Sequence, residues 1–189
     1  MRKLVVSSFV SLDGVIESPM TWASQYFDEE CKQYALRKLD NVEYFLLGRV
    51  AYETFSPVWP QVKGNPYMDR INGLKKLVAS KTIRDCSWNA TVITGDVSNE
   101  LSTIKQQSGG DIMKYGITQL DQTLLTSRLV DEYHLWIMPL RVGEGKRAFA
   151  DVDSSLVDLE LFATHEFKNG VVTLSYFVRR SSGTHNPLP

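Results

Sequence analysis

The chain of 189 residues reads as an α/β fold with a mostly parallel sheet and an antiparallel edge. Three observations predict it. Short apolar runs alternate with helical patterns along most of the chain, the order that builds parallel strands joined by crossover helices. At two places an apolar strand runs into a glycine and then a helix, at Leu47-Gly48-Arg49 and at Tyr115-Gly116-Ile117. The last two apolar segments flank Asn169-Gly170, a turn pair that favours an antiparallel hairpin.

The elements follow in order. Residues 3–10 read as a buried strand, and Ser11-Leu12-Asp13-Gly14-Val15-Ile16 as a turn and re-entry followed by loop over 17–24. A helix is predicted over 28–39, where Phe27, Cys31, Tyr34, Ala35 and Leu39 recur at helical spacing. Asp28, Glu29 and Glu30 suit its N-terminus, and Arg37 and Lys38 its C-terminus. A strand over 42–47 leads into a helical turn over 50–55 that Pro57 and Pro60 stop. A short helix over 66–72 ends at Gly73, and strands follow over 75–79 and 91–94. Ser98 is the expected N-cap of a helix running to Gln107 and closed by Gly109. Residues 111–115 read as a strand, Gly116 as the turn into a helix reaching about Ser127, and 132–138 as the next strand. The hairpin is predicted over 156–167 and 171–179, and 181–189 as a flexible polar tail, leaving one domain over 1–180.

Composition narrows the function. Hydrophobic residues make up 43% of the chain, enough for a packed core. With 21 basic and 22 acidic residues the net charge is −1, which offers no nucleic-acid surface and no polybasic membrane patch. Two cysteines, Cys31 and Cys86, make no disulfide framework, and no metal-ligand spacing occurs. Cys31 is expected as a buried thiol. The N-terminus lacks a signal-peptide core, and no apolar run matches a membrane span, so the expectation is a soluble, cytoplasmic, bacterial protein without metal.

Ligands of open α/β sheets bind beyond the carboxyl ends of the strands. Three such ends carry anion-binding chemistry: Gly48-Arg49-Val50, Ser80-Lys81-Thr82, and Lys114-Tyr115-Gly116-Ile117-Thr118. Glycine permits a tight turn, free N–H groups can face an anion, and arginine offers a planar fork to phosphate. Two hydroxyls and an ammonium at 80–82 suit a phosphate monoester. Each junction alone also fits an ordinary turn, whereas a dinucleotide needs two or three anion sites. Neither a Gly-x-Gly-x-x-Gly after the first strand nor a Walker motif is present. His134 reads as a sheet residue, and no catalytic triad is evident. The aromatics Trp22, Phe27, Phe55 and Trp59 are core by default and could instead wall a pocket for a flat heterocycle.

These pieces, in this order, resemble the dihydrofolate reductase superfamily. They are most similar to its bacterial branch related to the reductase domain of the bifunctional riboflavin-biosynthesis deaminase–reductase. The residues that carry the resemblance are Ser11-Leu12-Asp13-Gly14, Leu47-Gly48-Arg49 with Tyr52-Glu53, and Ser80-Lys81-Thr82. Further on they are residues 111–116, Leu125 with residues 129–132, and residues 143–149. The resemblance implies a three-layer sandwich around a central sheet of about eight strands, NADPH along the carboxyl edge, and hydride transfer to a small heterocycle or sugar carbon. Gly48, Arg49 and Val50 would then hold phosphates, and Ser80, Lys81 and Thr82 the adenosine 2′-phosphate. Tyr115, Gly116, Ile117, Thr118 and Leu120 would flank the pyrophosphate, and Leu12, Asp13, Gly14 and Ile16 the nicotinamide. A homodimer is also implied. The implied reaction is that of a 5-amino-6-(5-phosphoribosylamino)uracil reductase. Reduction of dihydrofolate or a pterin, or a non-catalytic NADPH-binding module, are the alternatives. The catalytic residue is not evident; Asp13, Asp28 and Glu29 are the acidic candidates.

Overall fold

The computed structural model describes residues 1–179, so the polar tail expected at 181–189 lies outside the described residues. The strands are β1 (Leu4–Ser11), β2 (Val42–Gly48), β3 (Lys75–Ala79), β4 (Ala90–Ile93), β5 (Asp111–Tyr115), β6 (Glu132–Met138), β7 (Leu159–Glu166) and β8 (Val172–Val178). The helices are α1 (Glu29–Lys38), α2 (Arg49–Phe55), α3 (Pro66–Gly73), α4 (Val97–Gln106) and α5 (Leu120–Thr126). One eight-stranded sheet results, in the order β4-β3-β2-β5-β1-β6-β8-β7. The first six strands run parallel, and β8 lies antiparallel between β6 and β7. The expected mostly parallel sheet with a C-terminal antiparallel hairpin is therefore present.

Side-chain alternation splits the core into two layers. Leu4, Val6, Leu46, Ile112 and Tyr133 pack with Leu101 of α4 and Leu124 and Leu125 of α5. Val5, Phe45, Leu47, Val78 and Met113 face the opposite side, with Tyr52 of α2 and Ile71 of α3. Trp136 and Met138 pack there too, against Cys31 and Ala35 of α1. The sheet is thus sandwiched between α4–α5 and α1–α3. Cys31 is buried as expected, and burial pushes its thiol up to about 11, which suits a packing role rather than a nucleophile.

Four boundaries differ from the sequence reading. The N-cap of α4 is Asp96, whose carboxylate accepts from the Asn99 N–H at 2.9 Å. Ser98 instead accepts a hydrogen bond from the Ser127 hydroxyl. A carboxylate is the stronger acceptor for a helix N-terminus, so it displaces the serine expected there. Second, α5 begins at Leu120, not at Gly116, because Thr118 and Asp121 hold the preceding residues in a turn. Third, residues 154–156 form a 3-10 turn capped by Asp153, which delays β7 to Leu159. Fourth, Gly109 does not close α4, whose last residue is Gln106; it begins the approach to β5.

Candidate functional site

The sheet order places four strand ends side by side along one edge. From β3 to β1 they are Ser80–Thr82, Gly48–Val50, Gly116–Thr118 and Leu12–Ile16. With adjacent strands spaced at roughly 4.8 Å, this row runs about 14 Å. Between β5 and β1 the chain leaves on opposite faces. After β1 it enters the α1 side, and after β5 the α5 side. That divergence opens a crevice at the carboxyl edge, the usual ligand position in such sheets. Here it is a shallow depression with no room for a water molecule, and Ile16, Ile117, Thr118, Lys146 and Arg147 are among its walls.

The loop after β1 is clipped to the segment after β6. The Asp13 carboxylate accepts from the Ser11 hydroxyl at 2.6 Å and from the N–H groups of Val142 and Gly143 at 3.1 and 2.8 Å. These donors, the Ser11 hydroxyl first, hold its pKa well below the usual carboxylate range. Arg147 donates to the Asp13 carbonyl, Ile16 N–H donates to the Lys146 carbonyl at 2.8 Å, and Ala148 N–H to the Gly14 carbonyl at 2.9 Å. Residues 142–148 thus form a strap over 13–16. Asp13 was a catalytic candidate from sequence; a carboxylate committed to three donors is a structural clip rather than an acid or base. Leu12 projects 67% exposed at the rim.

At the β2–α2 junction Gly48 stands at the N-cap of α2. The Arg49 guanidinium is half exposed and meets Glu53, one turn on, at 3.0 Å, and Val50 is exposed. Arg49 therefore faces solvent with a carboxylate beside it, and a phosphate would compete with Glu53 for its fork. After β3 the Ser80 hydroxyl accepts from the N–H groups of Thr82 and Ile83 at 3.2 and 3.1 Å. That turn leaves Lys81 and Thr82 exposed.

The β5–α5 junction is built from beneath. Gly116 has φ +75°, a conformation that glycine adopts without strain. Lys114, on the strand just before it, points into the core and donates to the Gly116 carbonyl and, at 2.7 Å, to Asp121. Asp121 also accepts from the Thr118 N–H at 2.7 Å and from the Tyr133 hydroxyl at 2.9 Å. Neither charged side chain is more than 2% exposed. Tyr115 lies on the other face, where its hydroxyl accepts from the Tyr67 hydroxyl at 2.9 Å. Burial raises both phenols, Tyr67 to about 12.

Two groups of sequence candidates are not brought together. Asp28 caps α1, accepting from the Cys31 N–H at 3.0 Å, and also accepts from the Asn169 side chain at 2.9 Å. Glu29 is exposed and bound to Gln33 at 2.7 Å. Asp28 is thus spent on capping α1, while Glu29 stays at the surface beside Tyr67, on the rim of a separate cavity. The four aromatics do not wall one pocket either. Trp22 is buried with Trp136 and Phe167, its indole N–H donating to the Glu17 carbonyl at 2.8 Å. Phe55 and Trp59 stack 4.0 Å apart in the cluster around Phe45 and Trp88. Phe27 belongs with the Trp22 end, packed against the same cluster and edge-on to Phe9, Tyr67 and Trp136. The Pro57 loop folds its rings back onto β2, and apolar burial separates residues that sequence proximity had grouped.

Sequence reading set Lys114 among the anion-binding residues of this strand end, whereas its ammonium turns into the core. It missed the Asp121 partner of Lys114, the strap over 142–148 as a structural unit, and the Tyr67 partner of Tyr115. One signal was available: a lysine at an inward position of an otherwise apolar strand, Asp111-Ile112-Met113-Lys114-Tyr115, requires a buried acceptor. Among the described residues no cluster of potential metal ligands occurs, and no helix is long and apolar enough to cross a membrane.

Comparison with known proteins gives this architecture a family. The model of the RibD C-terminal domain matches residues 2–173. An uncharacterized protein of Bacillus subtilis strain 168, YyaP, is 28% identical over 183 residues, covering 93% of this chain and 94% of its own. Among solved structures, the Thermotoga maritima diaminohydroxyphosphoribosylaminopyrimidine deaminase/5-amino-6-(5-phosphoribosylamino)uracil reductase superposes with a TM-score of 0.65 at 13% identity. That match covers 94% of this chain and 57% of the Thermotoga protein. Dihydrofolate reductase from Enterococcus faecalis, complexed with NADP(H), superposes with a TM-score of 0.57 at 16% identity, over 95% and 97% of the two chains. The fold is that of dihydrofolate reductase.

Proposed function

The chain belongs to the RibD C-terminal domain family, and from that premise we propose that it is an NADPH-dependent reductase of the riboflavin-pathway type. Its nominal reaction reduces the ribosyl group of 5-amino-6-(5-phosphoribosylamino)uracil to ribityl by hydride transfer. The observation that carries the reading is the row of strand-end loops along one edge. Anion-type donors at Ser80–Thr82 and Arg49, and the Ile117 N–H in the Gly116–Thr118 turn, lead to a crevice between β5 and β1. The donor chemistry fits the cofactor. Lys81 and Thr82 offer an exposed ammonium and an exposed hydroxyl suited to a 2′-phosphate. Asp13, an acidic side chain in the row, is already saturated with donors.

NADPH, when bound, supplies the hydride; the protein supplies orientation and a dry site. In this reading Ser80, Lys81, Thr82 and Arg49 hold the adenosine phosphates, and Gly116–Thr118 the diphosphate. Gly14 and Ile16, fastened by the strap, bound the reacting ring. The aromatic side chains Phe27, Tyr67 and Tyr115 on the α1–α3 face offer apolar surface to a flat heterocycle. Pterin reduction loses support because Asp28, at the start of α1, is committed to the helix cap and to Asn169.

The test is direct. Purified protein mixed with NADPH and the ribosylaminouracil substrate is expected to oxidise NADPH in proportion to substrate. Tight NADPH binding without oxidation favours a binding module, and an absence of NADPH binding sinks the reading.

The reading extends to assembly as a homodimer. Phe162 and Phe177 stack 4.0 Å apart on the terminal hairpin while remaining 40% and 43% exposed, beside exposed Leu161. An open edge strand with exposed apolar residues is a surface that a second copy can cover. Light scattering of the wild type against Phe162→Asp is expected to show a dimer and a monomer respectively; equal masses count against it.

A further inference from the structure

The feature that the reaction leaves unexplained is the ion pair beneath the β5–α5 junction. Lys114 and Asp121 are 2% and 0% exposed at their side chains. Such a pair is costly to bury and is often no more stable than apolar residues of the same volume, so its persistence calls for work other than stability. Its hydrogen bonds show what that work is. Lys114 takes the Gly116 carbonyl. Asp121 takes the Thr118 N–H at 2.7 Å and, at 3.3 Å, the Thr118 hydroxyl, and is itself held by the Tyr133 hydroxyl at 2.9 Å.

Both bonds pull inward, on either side of Ile117. In a trans peptide the C=O and the following N–H point in opposite directions. Holding the Gly116 carbonyl inward, towards the buried ammonium, therefore turns the Ile117 N–H outward. That N–H donates to no other described residue. Ile117 and Thr118 line the same crevice as Arg147, which donates to the Asp13 carbonyl, and Lys146, which pairs with Asp151.

We propose that Lys114 and Asp121 are positioning residues, which hold the Gly116–Thr118 turn so that the Ile117 N–H is presented to the diphosphate of a bound dinucleotide. This rests on the nucleotide reading given above. The two residues touch no ligand themselves; they act through the turn. The arrangement also accounts for a single glycine at this junction. Gly116 supplies the left-handed backbone, and the buried ammonium fixes the peptide orientation.

The test compares two probes. NADPH carries the diphosphate, and adenosine 2′-monophosphate carries only the distal phosphate. The paired variant Lys114→Met with Asp121→Asn removes the carbonyl anchor and leaves no uncompensated buried charge. Its affinity for NADPH is expected to fall about tenfold, the size of one lost charge-assisted hydrogen bond. Its affinity for adenosine 2′-monophosphate is expected to stay the same. Lys114→Arg, which keeps a cationic donor, is expected to recover most of the loss. Equal losses for both probes, or no loss for either, overturn the proposal. Should the paired variant fail to fold, the wild-type amide resonance of Ile117 decides. It is expected to shift strongly with NADPH and little with adenosine 2′-monophosphate, and an unmoved resonance overturns the proposal. Wild-type protein that binds no NADPH overturns the nucleotide reading itself, and this proposal with it. An intact NADPH affinity in the folded variant overturns only the positioning role.

Discussion

The two ends of the parallel strands use the same chemistry for different purposes. At the carboxyl edge the buried Lys114–Asp121 pair fastens a loop that lines a crevice. At the amino edge, Lys105 reaches Asp131 and, at 2.5 Å, the Leu129 carbonyl, and Asp131 also receives the Leu4 N–H at 2.7 Å. Beside it Arg2 meets Glu43 at 2.5 Å and the Ser108 carbonyl at 2.7 Å, and Lys3 meets Glu132 at 2.8 Å. The amino-edge pairs tie strand starts to one another and to α4, so they set register. The carboxyl-edge pair shapes a loop. A buried ion pair therefore does not declare its role by burial; the role follows from what its hydrogen bonds hold still.

The glycines at the two edges differ in the same way. A Cβ on Gly110 would lie 2.5 Å from the Asn41 carbonyl oxygen, so that glycine answers close approach. Gly116 has open space around it and is needed for its φ of +75°.

The comparison can be broken in four ways. The largest expected effect comes from Lys105→Met, which leaves Asp131 without its buried ammonium. Loss of one partner of a buried pair costs about 3–5 kcal/mol, so thermal unfolding should shift strongly downward while the folded protein keeps its NADPH affinity. A fall in affinity with unchanged stability would reverse the roles assigned to the two edges. Next, Gly110→Ala should destabilise by about 1–3 kcal/mol through overpacking, whereas Gly116→Ala should cost about 1 kcal/mol of backbone strain and weaken NADPH. Calorimetric melts and cofactor titration of both variants separate the two.

Third, the amino edge should fail in acid. His134, and after it Lys3, hold the Glu132 carboxyl at about 2, below its ordinary 4.5. Arg2, followed by Lys75, holds Glu43 at about 2 as well. Because both folded values are depressed, their stabilisation is complete above about pH 4.5 and is lost as pH falls towards 2. Melting temperature should drop across that window, and Glu132→Gln should flatten the drop. A variant whose melting curve tracks wild type through this range contradicts the assignment. The smallest structural effect belongs to Arg49→Ala. Its exposed pair with Glu53 contributes about 0.3–0.5 kcal/mol, so stability should barely move. NADPH binding should nevertheless weaken more than NADH binding if the guanidinium reads the 2′-phosphate; equal losses leave it a role at the diphosphate only.

Much of this was legible in the sequence. Strand–helix alternation, the Asn169-Gly170 hairpin and the strand–glycine–helix junctions depend on local chemistry, period and turn preference, and they gave the sheet and the strand ends that line its carboxyl edge. The fate of individual polar side chains did not follow from local chemistry. Asp28 caps α1 as its place at the helix start suggests, yet it also takes the Asn169 side chain, the partners of Asp13 include Val142 and Gly143, and that of Glu29 comes from the next turn of α1. Two of those three sets are distant in sequence, and pattern alone cannot say which donor arrives. Ring proximity misled for the same reason, since Trp22 and Phe55 were drawn into separate clusters by neighbours from β6 and β2.

What the sequence determined by itself was the order of elements and the chemical character of each strand end, because backbone preference and hydrophobic period act over a few residues. What only the tertiary structure decided was which charges are spent and which remain for a ligand. Lys114 is the clearest case: part of an anion-binding strand end by sequence, it becomes the anchor of a turn because Asp121 and the Gly116 carbonyl fold over it in the core. Long-range pairing in a dry interior sets that outcome, since there an unmet charge is far more costly than a met one.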